Sequence, residues 1–80
     1  MMTFEKQPTP RSSAVIQWNV SLHGKPFGAI FTYKDTDTDK SPWTAKPLNG
    51  ETEFFWAEWH GAASKVRAFE KAKAYMESLA

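Results

Sequence analysis

Asn49-Gly50 sits between two aromatic-rich runs, Trp43-Thr44-Ala45 and Phe54-Phe55-Trp56, and no other pair in the chain limits the fold as much. A two-residue type I′ turn needs φ > 0 at both central positions, which Asn and Gly adopt at least cost. Counting outward from such a turn, Lys46 faces Glu53, Ala45 faces Phe54, Thr44 faces Phe55 and Trp43 faces Trp56. That register predicts a core face of Trp43, Ala45, Phe54 and Trp56. The other face then carries Thr44, Lys46, Phe55, Ala57 and Trp59, with Lys46 and Glu53 as an opposite-charge cross-strand pair.

Upstream, Ile16, Trp18, Val20 and Leu22 alternate with Gln17, Asn19, Ser21 and His23. Period-two alternation of this composition predicts a half-buried strand with a solvated outer face. His23-Gly24-Lys25-Pro26 supplies turn chemistry. A second run follows from Phe27 to Tyr33, with Phe27, Ala29, Phe31 and Tyr33 on one side and Gly28, Ile30 and Thr32 on the other. Downstream, a helix is expected from Ala62 or Ser64 to Leu79, with Ser64 as its candidate N-cap. Phe69, Ala72, Met76 and Leu79 fall on one stripe, flanked by Val66 and Tyr75. That stripe is expected to pack on Trp18, Val20, Phe31 or Trp56.

Residues 1–13 contain Pro8 and Pro10 and little apolar material besides Phe4 and the two leading Met, so they are expected to form a flexible tail. Residues 14–80 are then one α+β domain. Its expected architecture is an antiparallel three- to four-stranded sheet in β-β-β-β-α order, with one C-terminal helix packed across one face.

Eighty residues without cysteine must fold on a small core, with neither disulfides nor thiolate–metal sites to help. Six Phe, four Trp and two Tyr supply the area to bury. No run approaches the ~20 apolar residues of a membrane span. No apolar stretch near the N-terminus resembles a secretion signal, and the expected location is cytoplasmic.

Few motifs carry chemistry. Asp35-x-Asp37-x-Asp39 begins like a calcium loop, but Lys40 and Lys46 stand where such a loop needs Gly and Glu, so an acidic solvated turn is expected. Asn19-Val20-Ser21 matches a glycosylation sequon inside a strand, where chance is the simpler account. His23 and His60 lack partners at metal-ligand spacing. Glu58 lies two residues from His60, a pairing common without catalysis. Ser12, Ser13 and Ser64 have no base beside them in a recognisable arrangement. The chain is therefore expected not to be an enzyme, with no catalytic, cofactor-binding or metal-ligating residues.

Two functional classes remain. The first is a protein-interaction module, an accessory or inhibitory protein of phage or mobile-element type, which binds through the outer sheet face or a strand edge. Its candidate contacts are Asn19, Thr44, Lys46, Phe55 and Trp59. The second is a nucleic-acid-binding module using the sheet face or the basic helix side at Arg67 and Lys71. The net charge is +1, and residues 14–80 carry eight basic and eight acidic side chains, a poor magnet for phosphate. The β-β-β-β-α order is similar to that of several unrelated groups, among them integrase arm-binding domains and small phage or mobile-element proteins. The likeness is one of element order and implies no family.

Overall fold

A computed structural model describes residues 1–8, 14–33, 42–57 and 62–80. Five strands run β1 (Met2–Lys6), β2 (Val15–Leu22), β3 (Lys25–Tyr33), β4 (Trp43–Pro47) and β5 (Glu53–Phe55), followed by α1 (Ala62–Ser78). They form one antiparallel sheet in the order β1-β2-β3-β4-β5. The expected α+β class, with one C-terminal helix on a sheet, is what the chain adopts. The fifth strand comes from the segment expected to be a tail. Met2–Lys6 pairs with Leu22–Trp18, and Phe4 turns toward the helix, where the Lys73 ammonium lies 5.2 Å from its ring centre. An edge strand is half solvated, so its sequence shows little apolar alternation.

The type I′ geometry lies at the first tight turn rather than the last. His23 and Gly24 take φ of 52° and 78° between the paired residues Leu22 and Lys25. His is among the few residues that tolerate this region, and Gly does so freely. Asn49 does not take a positive φ, although Gly50 does.

The last hairpin is accordingly shifted by one residue from the expected register. Trp43 pairs with Phe55, Thr44 with Phe54 and Ala45 with Glu53. The Leu48 N–H donates to the Phe27 carbonyl at 2.9 Å. It points to β3, so Leu48 cannot close a two-residue turn with Glu51. Pro47, one residue earlier, turns its donorless nitrogen toward the β5 side, where pairing stops at Ala45 and Glu53. A one-residue slip moves every side chain to the opposite face. Phe55, expected outside, packs under the helix, while Phe54 and Trp56, expected in the core, are exposed. Lys46 and Glu53 consequently lie on opposite faces and do not pair.

On the helix side, Val20, Ile30, Trp43, Ala45, Ala68, Ala72 and Met76 form the buried core. Phe69 lies between two indoles, 5.1 Å from Trp18 and 4.6 Å from Trp43 between ring centres. Tyr75 packs on Phe55 at 5.8 Å and donates its hydroxyl to the Glu51 carbonyl at 2.6 Å. The helix buries Ser64, Ala68, Ala72 and Met76 along one i, i+4 line, and leaves Val66 and Leu79 exposed. It begins at Ala62, which places Ser64 inside the first turn rather than at the cap. Gly28 is where β3 meets both β4 and α1. A Cβ there would lie 2.5 Å from the Lys46 carbonyl oxygen and 2.8 Å from the Met76 methyl. The register between β2 and β3 shifts at this point, which leaves Phe27 as the extra residue of a β-bulge.

Candidate docking face

The five-strand register fixes what each sheet face presents. Even-numbered β3 residues point at the helix, with Ile30 and Thr32 fully buried. Beyond the bulge at Phe27, which packs against the core, the odd-numbered residues Ala29, Phe31 and Tyr33 point away, so Phe31, expected beneath the helix, lies on the outer face instead. There Gln17, Phe31, Thr44 and Phe54 form one row across four strands. Glu5, Asn19, Ala29 and Lys46 form the next row. Val15 and Tyr33 form a third.

The face divides by strand. Its β1–β2 half is polar, with Thr3, Glu5, Gln17, Asn19 and Ser21, and the Gln17 amide donates to the Asn19 side-chain oxygen at 2.9 Å. The β3–β5 half is aromatic. Phe31 and Tyr33 meet edge to face at 6.1 Å, and Phe54 stands two strands away across Thr44. Thr44 is only 5 % exposed although no second layer covers this face among the described residues. Phe31 and Phe54 flank it in the row. Tyr33 is 52 % exposed and Phe54 58 %. Lys46 rims the patch, with its stem beside Ala29.

Of the residues the sequence singled out, Asn19, Thr44 and Lys46 share this face. Phe55 does not: it lies on the helix side against Tyr75, and Phe54 occupies the position expected for it. Trp59 lies outside the described residues, as do Glu58, His60 and the acidic Asp35–Asp39 segment. Phe31, Tyr33 and Phe54 were missed as surface residues. The signal available in the sequence was that Ile30 and Thr32, the β-branched residues of β3, share the face opposite Phe31 and Tyr33.

Arg67 and Lys71 are exposed one turn apart on α1, away from the sheet face. Together with Trp56, Ser64 and Ala68 they line a crevice of about 30 Å³. Trp56 is 61 % exposed, so an aromatic ring stands beside two cationic side chains. Among the described residues, no group of His, Asp and Glu could hold a metal ion. No helix of the described residues is long and apolar enough to cross a membrane. No protein-family model, curated protein or solved structure matches this chain.

Proposed function

We propose that this chain is a small, non-catalytic protein-docking module that acts in the cytoplasm and binds its partner through the aromatic half of the outer sheet face. One observation carries the reading. Phe31 and Tyr33 meet edge to face, and Phe54 stands in the same row as Phe31 beyond Thr44, on a sheet face that no described element covers. Isolated exposed aromatics are ordinary, but a cluster rimmed by polar groups is the usual anatomy of a contact surface. Tyr33 and Phe54 offer large apolar areas with few rotatable bonds to freeze, and Lys46, Asn19 and Gln17 supply a polar rim. An accessory or inhibitory role fits a module of this size.

A stoichiometric partner recovered from the source cell tests this. The Tyr33→Ser/Phe54→Ser variant should retain wild-type melting and lose that partner, because both side chains are more than half exposed. Retention of the partner by this folded variant contradicts the reading.

The second reading, nucleic-acid binding, is favoured by the Trp56, Arg67 and Lys71 cluster, where a base could stack beside phosphate-binding cations. Titration with single-stranded DNA and RNA at low and moderate salt separates the two. Tight binding that collapses with salt, and weakens in Arg67→Ala/Lys71→Ala, would place nucleic acid first.

A further inference from the structure

One helix cannot roof a sheet this wide. Five strands at ~4.8 Å spacing set the outer pair about 19 Å apart, whereas a helix with its side chains is roughly 10–12 Å across. The helix packs closest to β4 and β5. Among the described residues, side chains alone therefore cover the β1–β2 half of the helix-side face, and their cover is incomplete. A groove of about 240 Å³ remains between Lys6, Ile16 and Trp18 on the sheet and the first half of α1. Trp43 and Phe69 form its inner wall, and Lys65 and Val66 its helical rim.

We propose that this groove binds a small aromatic carboxylate. Three observations point to that chemistry. Its body is apolar and aromatic, with Phe69 held between Trp18 and Trp43, which suits a flat ring. Its charged lining is Lys6 and Lys65, with no carboxylate among the described lining residues. Neither lysine has an ion pair among the described residues; Lys73, farther along the helix, pairs with Glu70 at 3.9 Å. Finally, Trp43, one of the lining residues, carries an indole N–H that is buried from solvent behind the groove wall and has no acceptor, the only such side-chain atom among the described residues. Buried donors without acceptors are uncommon in folded proteins. The volume lies just below the usual 300–1,000 Å³ of small-molecule pockets, which limits the occupant to one or two fused rings. This site is on the opposite side of the sheet from the proposed docking face and does not depend on it.

Naphthalene-2-carboxylate is a suitable probe, with naphthalene-2-carboxamide as its neutral counterpart. The four tryptophans give four indole N–H signals in a nitrogen–proton correlation spectrum of the full chain. The carboxylate should shift the Trp18 and Trp43 signals saturably and leave Trp56 in place. The amide should bind roughly three- to tenfold more weakly at low salt, the scale expected for one exposed and one half-buried lysine. Lys6→Gln/Lys65→Gln should remove that preference. Val66→Trp, at an exposed helix position on the rim, should fill the groove and abolish both titrations while the chain stays folded. No movement of Trp18 and Trp43 at millimolar probe overturns the proposal. So does equal binding of acid and amide, undiminished binding by the filled variant, or an equal shift of Trp56.

Discussion

Trp43 and Phe55 stand opposite each other across the last hairpin. That pairing sends Phe55 under the helix against Tyr75 and leaves its neighbours Phe54 and Trp56 in water. The two faces of the sheet, and with them the candidate site, depend on it. Phe55→Ala should therefore destabilise by about 2 kcal/mol or more, somewhat below a fully buried Phe. Phe54→Ala should stay within ~0.5 kcal/mol of the parent, as for other surface changes. Urea unfolding of both variants checks the register, and the reverse order of costs would restore the unshifted hairpin.

Phe69 joins the helix to both halves of the sheet through Trp18 and Trp43, so Phe69→Ala should cost roughly 3–5 kcal/mol. In a domain of this size that is a large share of total stability. Wild-type melting of this variant would mean that another helix face packs on the sheet.

Glycine positions separate close approach from turn geometry. Gly28→Ala drives a methyl into the Lys46 carbonyl and the Met76 side chain, and should cost about 1–3 kcal/mol through overpacking. Gly24 has nothing within 4 Å of a would-be Cβ, and its φ of 78° alone penalises alanine, by ~1 kcal/mol. Combining Gly28→Ala with Met76→Ala should recover little, because the backbone contact with β4 remains.

Much of the architecture is legible in the sequence. The alternation in Ile16, Trp18 and Val20 marks β2, and the spacing of Phe69, Ala72 and Met76 marks the helix. Each pattern reports a single face meeting a single core. What escaped was decided elsewhere in the chain. Asn49-Gly50 invites a two-residue turn, but the bond from Leu48 to Phe27 on the β3 side and the missing donor of Pro47 on the β5 side work against it. Met2–Lys6 gains its order from pairing with β2, which its own composition does not announce. For the candidate site, Asn19, Thr44 and Lys46 followed from alternation within their strands. Phe54 was assigned to the wrong face by the same slip that misplaced Phe55.

Tyr75 should ionise above its ordinary value near 10, first because burial disfavours the phenolate, then because Glu53 and Glu51 repel it. A raised folded-state pKa means that the tyrosine's contribution is intact below the unfolded value and fades as pH climbs through the folded one. Its hydroxyl bond to Glu51 should then be lost only in strong alkali. Ultraviolet titration of the phenol checks this, and Glu51→Gln/Glu53→Gln should lower the midpoint toward the ordinary value.

The outer sheet face is tested most directly by photo-crosslinking in the source cell, with benzoylphenylalanine placed at Phe54, at Tyr33, and at exposed Glu77 on the helix. Docking through the aromatic half of the sheet predicts one discrete protein adduct from positions 54 and 33 and none from position 77. No adduct at 54 and 33, or the same products from all three positions, would contradict it.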